Sequence, residues 1–492
     1  MTLERYRSIV PGWSDFRAAA VRPEPTVFRI RGGRVSESEL LERLASRGYR
    51  IRALDGQGGF HQVEEGPRPI ALTPEHWHGL FYVQQASTGV AAPALAPRPG
   101  ERVLDLCAAP GGKTSHMADL MRDSGCLVAS EISESRIRGL LGNIYRLGHT
   151  NVLVVAGDAR RFPDGALFDR VLVDAPCSGE GTLRRRGGRP PRQSRSFLGF
   201  VTSAQRRLLE RAIALTRPGG SILYVTCTFA PEENEAVVHD ALVRLPVELE
   251  PLALPVPHAP GLTRFESERY DARLEGAARI YPHHLDSGGL FLAKLRRLDD
   301  GDGRSAGPGA HEATPNETGR GWSAVPVAFP NESVTAEAER AVEIGLSEMR
   351  ERFGMSHDPS ALGWTVRGGR VWMHTLAEWP LQAWAANGWR AISVGVRALE
   401  FDSRGRPRPT NDFLRWLGEG VTRRAIDLER AELDALVRRK AVPAPIEERG
   451  PIVLRYDDAV IGRGAVTVDG LKSEIPKARA ADLRRCLENV ES

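Results

Sequence analysis

The sequence lacks several features that would place it outside the interior of a cell. No run of about 18 uncharged apolar residues exists to span a membrane, and the N-terminal MTLERYRSIVPGW has no apolar signal-peptide core. The five cysteines form an odd, sparse set without metal-ligand spacing, which argues against a disulfide framework and favours a reduced compartment. We therefore expect a cytoplasmic, monomeric protein that binds neither a metal nor a membrane.

Lysine is scarce, and the net charge of +4 is mild, but arginine is concentrated in one segment. The stretch from Arg184 to Arg211 carries nine arginines and a single acid, Glu210. Such a basic segment suits a polyanion, and RNA is the first candidate. A solvated surface in an arginine-rich protein is the alternative that charge alone leaves open.

The length of 492 residues predicts about two to four domains. Residues 1–97 mix short helix and strand patterns, which indicates a small α+β domain. From residue 98 to 297, short apolar runs alternate with helical segments, as in a parallel sheet covered on both faces. The runs are RVLDLC (102–107), CLVASEI (126–132), NVLVVAGD (151–158), FDRVLVDAP (168–176), GGSILYVTC (219–227) and GGLFLAKLR (288–296). This spacing predicts a doubly wound α/β domain.

The C-terminal third differs in texture. Residues 298–335 are polar, rich in Gly and Pro, and aperiodic, which is typical of a linker. A mixed α/β region follows over 336–440, and short strand patterns over 441–492 predict a small β-rich module. We expect residues 336–492 to fold separately, so that their removal would not expose the core of the preceding domain.

A ligand site is indicated where the predicted strands end. The first strand runs into the glycine-rich turn AAPGGKT (108–114), where a ligand can approach the backbone closely. Glu131, Asp158 and Asp174 close the next three strands. Single acids at such places usually cap helices or face solvent, but three in register rim one crevice and favour a ligand. Glu131 could bind the two hydroxyls of a ribose, and Asp158 could accept from an adenine amine.

Two cysteines also follow predicted strands. Cys177 lies in Pro-Cys-Ser-Gly, and Cys227 lies in Thr-Cys-Thr. Core packing is the usual role of a lone cysteine. A pair beside polar residues at the ligand-binding edge of a sheet favours a function.

Several of these motifs resemble a known family. The segments LDLCAAPGGKT (104–114), DAPCSGEGT (174–182) and TCTFAPEENEAVV (226–238) resemble motifs of the Nop/Sun family of RNA 5-methylcytosine methyltransferases. FYVQQASTGVAAPAL (81–95) and RIYPHHLDSGGLFLAKL (279–295) are similar to its upstream and final motifs, so the match covers about 80–297. Two segments depart from the family pattern: PTVFRIR (25–31) has an arginine where asparagine is expected, and RRRGGRPPRQSRS (184–196) is atypical.

The resemblance implies a Rossmann-like methyltransferase domain that uses S-adenosylmethionine. The residues it implies for contact with the donor are Cys107, Ala108, Ala109, Pro110, Gly111, Gly112, Lys113, Glu131, Arg136, Asp158 and Asp174. For Lys113, a role in organising the site or lowering a thiol pKa is the alternative to a donor contact.

The resemblance also implies the roles of the two cysteines. Carbon 5 of cytosine becomes reactive toward a methyl group only after a thiolate adds to carbon 6. The family's pattern makes Cys227 the nucleophile and Cys177 the residue that assists release, with Asp174 stabilising the adduct at the amidine side of the ring. DNA cytosine methyltransferases instead use a Pro-Cys nucleophile, so that dipeptide alone would mislead.

The substrate expectation rests on the flanking regions. The target cytosine must be unstacked, and the N-terminal domain and the C-terminal module are expected to grip the surrounding RNA. Residues 450–466 and 471–477 resemble the PUA-like ending of RsmF-type rRNA methyltransferases, which implies 16S rRNA; tRNA, or a non-catalytic role in ribosome assembly, stays open. For five clustered tryptophans core packing is favoured over base stacking; they are Trp364, Trp372, Trp379, Trp384 and Trp389.

Overall fold

The computed structural model describes residues 3–488 apart from 165–166, 190, 192–193, 300–321, 324–335, 368, 378 and 381–387. The predicted linker therefore lies almost wholly outside the described residues, as does Trp384. Among the residues that are described, no helix is long and apolar enough to cross a bilayer.

A central sheet confirms the predicted doubly wound α/β domain. Its five parallel strands are β1 (Arg102–Asp105), β2 (Cys126–Glu131), β3 (Val152–Ala156), β4 (Phe168–Asp174) and β5 (Thr216–Thr226). They lie in the order β5-β4-β1-β2-β3, and all four pairings are parallel. The valine-, leucine- and isoleucine-rich runs of these strands are buried, as expected when layers cover both faces of a sheet. The reversal of strand order between β1 and β4 creates a crevice at their carboxyl ends.

Antiparallel strands extend the sheet at both edges. They are β6 (Val247–Glu250), β7 (Ala259–Pro260), β8 (Ala278–Ile280), β9 (Leu290–Arg297) and β10 (Arg390–Val394). Strand β9 pairs with β5, β8 and β6, while β7 pairs with β8 and β10 pairs with β3.

Four helices of this domain are α1 (Gly112–Leu120), α2 (Glu134–Leu147), α3 (Arg195–Leu215) and α4 (Glu235–Arg244). Helix α2 shows why they lie on the sheet. Ile137, Leu140 and Ile144 recur at helical spacing and are buried. Gly148 ends the helix in a left-handed conformation that glycine adopts without strain.

Strand β10 corrects the expectation that residues 336–492 form a separate unit. It comes from the C-terminal region, yet it lies antiparallel to β3 in the central sheet. Trp389, one residue before it, contacts Phe162 with ring centroids 4.7 Å apart and packs against the backbone at Gly157. Trp372, Trp389 and Val394 belong to the main core of the sheet. The expectation that these residues can be removed without exposing that core is therefore wrong, because local periodicity does not reveal an edge strand supplied from far along the chain.

The N-terminal part is a four-stranded antiparallel sheet with flanking helices. Its strands, in spatial order, are Arg50–Ala53, Phe60–Glu65, Val27–Ile30 and Phe81–Val83. Its helices of more than one turn are Trp13–Val21, Glu37–Ser46 and Ala91–Leu95, and the shorter ones are Leu3–Tyr6, Ile70–Leu72, Pro74–Trp77 and Ala86–Gly89. Ser36 begins the second of these helices by accepting a hydrogen bond from the backbone of Glu39 at 3.2 Å.

Arg29, one of the two arginines in the segment PTVFRIR, is buried between this sheet and the α/β domain. It forms an ion pair with Asp119 of α1 and donates to Ser115 Oγ at 2.9 Å. Burial lowers the pKa of Arg29 to about 9. Arg29 therefore joins the N-terminal sheet to helix α1.

The C-terminal part contains two further four-stranded sheets. Helix Ala336–Phe353 precedes the strands Leu362–Arg367, Arg370–Thr375, Val396–Phe401 and Pro407–Pro409, and helix Asn411–Leu417 follows them. The second sheet contains Ala425–Asp427, Gly450–Tyr456, Ala459–Thr467 and Gly470–Ser473, with helices Arg430–Val437 and Lys477–Leu487. The β-rich character predicted for 441–492 is confirmed, while its PUA-like assignment stays a prediction.

Candidate active site

The glycine-rich turn lies at the carboxyl end of β1, as predicted. Gly111 has a φ of +102°, which favours glycine, and its backbone N–H closes the turn on Ala108 O at 2.8 Å. The backbone N–H of Cys107 donates to Asp105 at 3.3 Å, and that of Ala108 donates to Ser130 O at 2.9 Å. The turn is thus fixed to β1 on one side and to β2 on the other.

Glu131 ends β2 and is held by several contacts. One carboxylate oxygen accepts from the backbone N–H groups of Ile132 and Ser133 at 3.0 and 2.9 Å. The other lies 3.0 Å from Arg136 Nη1, and Arg136 Nη2 donates to Ala109 O at 2.6 Å. Arg136 therefore joins the end of β2 to the glycine-rich turn, so the predicted arginine and the predicted acid act as one unit.

Asp158 follows β3 and is engaged by a residue that the sequence did not indicate. Arg160 donates to its carboxylate through the side chain at 2.7 Å and through the backbone at 3.1 Å. The side-chain hydrogen bond from Arg160 holds the pKa of Asp158 below its usual range. Asp158 thus caps the short helix Ala159–Arg161 while its side chain also faces the crevice.

A cavity of about 410 Å³, here named the strand-end cavity, lies between these residues. This is the size of a small-molecule site. Its lining includes Cys107, Glu131, Asp158, Asp174 and both strand-end cysteines, together with two apolar side chains, Ile132 and Phe200. Ile132 is 62% exposed, although it is large and apolar. An apolar surface beside an anchored carboxylate, next to a turn open to close approach, fits the adenosine half of S-adenosylmethionine.

The two cysteines meet at one end of the strand-end cavity. Neighbouring strands β4 and β5 bring Cys177 Sγ to 3.3 Å from Cys227 Sγ. The hydrogen bond from Cys177 holds the pKa of Cys227 below its usual range, although burial opposes this. The same contact, together with burial, raises the pKa of Cys177 well above its usual range. The arrangement favours a Cys227 thiolate that accepts from a Cys177 thiol.

Lys113 and Asp174 form an ion pair next to the thiols, with Nζ 2.6 Å from the carboxylate. Burial opposes the charge of Lys113, but Asp174 outweighs it and raises the pKa of Lys113. The ammonium also acts to lower the pKa of Cys227, against a larger raising effect of the Asp174 carboxylate. These contacts support the role of organising the site and activating a thiol.

A second cavity lies on another side of Asp174, between the N-terminal part and the α/β domain. This outer cleft, of about 570 Å³, is lined by the N-terminal residues Glu24, Tyr82 and Gln85 and by Lys113 and Asp174 of the catalytic domain. Asp174 lines both hollows. A substrate in the outer cleft and a cofactor in the strand-end cavity would therefore meet beside Asp174.

Two buried glutamates hold the cysteine loops in place. Glu233 accepts from the backbone N–H of Ser178 at 2.8 Å and from Gln205 at 2.9 Å. Glu180 accepts from the hydroxyl of Tyr6 at 2.8 Å and from that of Thr228 at 3.1 Å. These supports were not predicted from the sequence, although Glu180 lies in DAPCSGEGT and Glu233 lies in TCTFAPEENEAVV.

The described arginines of the arginine-rich segment do not all face solvent. Arg184 is buried and donates to Pro23 O at 2.6 Å, while Arg211 pairs with Asp164 at 2.7 Å. Arg185 lines the outer cleft. No group of three or more metal-ligating side chains occurs among the residues that the structure describes.

Comparisons with known proteins agree with this geometry. A family model described as 16S rRNA methyltransferase RsmB/F matches residues 92–296. Ribosomal RNA small subunit methyltransferase F of Vibrio campbellii (strain ATCC BAA-1116) is 29% identical over 498 residues, which cover 98% of this chain and 97% of the relative. The 28S rRNA (cytosine(4447)-C(5))-methyltransferase of Homo sapiens is 35% identical over 311 residues, which cover 61% of this chain and 38% of the relative.

Among solved structures, a methyltransferase homologue from Pyrococcus horikoshii is 33% identical, with a TM-score of 0.53. The match covers 60% of this chain and 98% of that one. The chain spans less than half the length of the eukaryotic relatives that it matches.

Proposed function

The chain belongs to the Nop/Sun family of RNA methyltransferases, and on this premise we propose that it methylates carbon 5 of a cytosine in 16S ribosomal RNA, with S-adenosylmethionine as the donor. The match over nearly the full length of a bacterial small-subunit rRNA methyltransferase supports this substrate over tRNA. We further propose that the protein acts as a cytoplasmic monomer without a metal.

The observation that carries the proposal is the pair of thiols 3.3 Å apart beside the Lys113–Asp174 ion pair. Methylation of carbon 5 requires a nucleophile that adds to carbon 6 and a base that later removes the carbon 5 proton. Two thiols whose pKa values are shifted in opposite directions supply both groups. Unpaired core cysteines would not need a lysine–aspartate pair next to them.

In the proposed mechanism, the Cys227 thiolate adds to carbon 6, while Asp174 hydrogen-bonds to the amidine side of the ring. Lys113 keeps Asp174 oriented until the base arrives. The turn 107–113, Glu131 and Asp158 would hold S-adenosylmethionine, which supplies the electrophilic methyl group to carbon 5. Gly111 permits the close approach.

Release follows from the contact between the thiols. Once Cys227 is bonded to carbon 6, the thiolate that kept Cys177 protonated is gone, so the pKa of Cys177 falls and its thiol proton passes to solvent, leaving a thiolate. Cys177 then takes the proton from carbon 5, the electron pair forms the carbon 5–carbon 6 double bond, and the Cys227 thiolate leaves.

The flanking regions are proposed to hold the RNA around an unstacked cytosine. The outer cleft lies between the N-terminal sheet and the catalytic domain, so a base that enters it would contact both. For the last β-rich module we propose a PUA-like role in RNA binding, supported by its strands and by the motif in 450–466.

The proposal is tested by incubating the purified protein with a tritiated methyl donor and, separately, small-subunit rRNA, assembled small subunits and tRNA. We expect label in small-subunit rRNA, recovered as 5-methylcytidine after nuclease digestion and mass spectrometry. The Cys227→Ala variant is the matched control. Label in tRNA alone would refute the substrate, and a product other than 5-methylcytidine would refute the reaction.

A further inference from the structure

A cavity of about 690 Å³, here named the arginine pocket, opens where three parts of the chain meet. Helix α2, the short helix ending at Trp77 and both C-terminal sheet regions contribute to its lining. It shares no lining residue with the strand-end cavity or the outer cleft. The chemistry of the two cysteines therefore does not account for it.

The pocket carries an excess of positive charge. The arginines that line it are Arg146, Arg397, Arg415, Arg479 and Arg485, against the acids Glu400, Asp412 and Asp482. Each acid already has an ion-pair partner: Arg463 lies 3.3 Å from Glu400, Arg415 pairs with Asp412, and Arg485 pairs with Asp482. The acids therefore do not neutralise the remaining arginines.

Three lining arginines, Arg146, Arg397 and Arg479, have no ion pair with any carboxylate in the described part of the chain. Arg415 is only 7% exposed, and its Nη1 has no hydrogen-bond partner among the described residues. The guanidinium groups of Arg479 and Arg415 lie 4.3 and 5.0 Å from the ring centroid of Trp77, which fixes their positions. Arg146 and Arg479 donate to backbone carbonyls, those of His76 and Trp77, at 2.8 and 2.9 Å. The pocket thus holds pre-oriented cations, three of which have no carboxylate partner in the described part of the chain.

Burial and mutual repulsion destabilise the charged forms of these arginines. Burial, followed by repulsion from Arg415, lowers the pKa of Arg479 to about 9. Burial also lowers the pKa of Arg146 to about 10, and Arg415 contributes to this shift. An anion in the pocket would offset both effects.

One layer of side chains separates the arginine pocket from the outer cleft. The guanidinium of Arg146 lies 5.9 Å from the ring centroid of Tyr82, and Tyr82 lines the cleft. Asn143 lines the pocket and donates to Pro110 O, on the cleft side, at 2.9 Å. The arginine pocket and the outer cleft are therefore adjacent.

We infer that the arginine pocket binds a phosphate group of the substrate RNA backbone, close to the nucleotide held in the outer cleft. The inference rests on the proposed function for its source of phosphate. Guanidinium groups match phosphate oxygens in geometry and charge. A contact of this kind is independent of base sequence and positions the strand for the catalytic residues.

The test compares two double variants with the same change in charge. In Arg397→Gln/Arg479→Gln, two pocket cations are removed; in Arg404→Gln/Arg430→Gln, two exposed arginines of the C-terminal part outside the pocket are removed. Affinity for a fluorescein-labelled single-stranded RNA is measured by anisotropy over a series of KCl concentrations. We expect the pocket variant to bind about tenfold more weakly at low salt and to flatten the salt slope by about 1. The control should match the wild type.

Thermal unfolding and affinity for S-adenosylhomocysteine establish that the variants are folded. If the double variant is not folded, Arg397→Gln alone is used. The Arg397 side chain lies over the rings of Tyr145 and Trp372 and forms no ion pair in the described part of the chain, so this substitution breaks none. Equal salt slopes for pocket and control variants would overturn the inference. The inference would also be overturned if inorganic phosphate stabilised the wild type but not the pocket variant while both proteins bound RNA equally well. That result would indicate a site for a free anion. Wild-type protein that binds RNA but methylates none would refute the proposed function instead.

Discussion

The crevice around the strand-end cavity and the arginine pocket both contain several charged side chains, but they differ in how far these charges are paired. In the crevice, Asp174 pairs with Lys113, Glu131 with Arg136, and Asp158 with Arg160. In the arginine pocket, the acids are already paired and several arginines are left over. A site that carries out chemistry on an uncharged base needs charged groups that are oriented and paired with opposite charges. A site that binds a polyanion needs an excess of positive charge.

Of all the substitutions considered in the two sites, loss of the Cys227 thiol in the crevice is expected to reduce methylation most. Cys227→Ala should reduce methylation by about 10⁴-fold or more, because no other group replaces the nucleophile. Affinity for S-adenosylhomocysteine, measured by calorimetry, should stay near the wild-type value. Methylation at the wild-type rate would show that Cys227 is not the nucleophile.

Removing the cation of the crevice should have the next largest effect. Lys113→Ala should slow methylation by about 10²- to 10⁴-fold, because Asp174 loses its partner and the pKa of Cys227 rises. Since the thiolate is the reactive form, the rising limb of the pH–rate profile should move to higher pH. Lys113→Arg, which keeps the charge, is the control and should shift this limb less. A profile that is identical in Lys113→Ala and the wild type would contradict this role.

The contribution of the C-terminal part to the crevice can be tested at Trp389. Trp389→Ala should lower the free energy of unfolding by about 3–5 kcal/mol, because its ring fills space between Phe162 and the backbone at Gly157. Chemical denaturation measures this directly. Trp416→Ala, at a half-buried ring of the C-terminal part, serves as a control for removal of an indole. A smaller loss for Trp389→Ala than for Trp416→Ala would contradict the role of β10 in completing the central sheet.

The smallest effects concern donor affinity. Glu131→Ala and Asp158→Ala should each weaken binding of S-adenosylhomocysteine by about 1.5–3 kcal/mol, the worth of a hydrogen bond to a charged group. Binding of RNA should change less, because neither carboxylate lines the outer cleft. Glu134→Ala, an exposed acid at the start of α2, is the matched control. Unchanged affinity in both variants would refute the placement of the donor.

The sequence predicted the crevice because its residues follow consecutive strands of one sheet. The ends of β1 to β5 must lie at one edge, so the order of the strands along the chain is enough to group Glu131, Asp158, Asp174, Cys177 and Cys227. Their roles came from the resemblance to a family. The hydrogen-bond partners of these residues were harder to predict from the sequence. Arg160, for example, belongs to no recognisable motif, and only the fold shows that it binds Asp158.

The arginine pocket and strand β10 could not be predicted in this way. Trp77, Arg146, Arg415 and Arg479 are separated by up to 402 positions and meet only through packing between domains. Local periodicity also gives no register between β10 and β3, because an edge strand pairs through its backbone. Contacts between distant segments, which depend on tertiary packing, were therefore the part that the sequence left open.

The measurement that tests the central claim most directly is trapping of the covalent intermediate. The Cys177→Ala variant, incubated with S-adenosylmethionine and small-subunit rRNA, should accumulate an RNA–protein adduct that migrates as a shifted band on a denaturing gel. Attack by Cys227 and methyl transfer proceed, but the carbon 5 proton is no longer removed efficiently. The band should be absent in Cys177→Ala/Cys227→Ala. A band that persists in the double variant, or that forms with Cys227→Ala instead, would contradict the assignment of the two thiols.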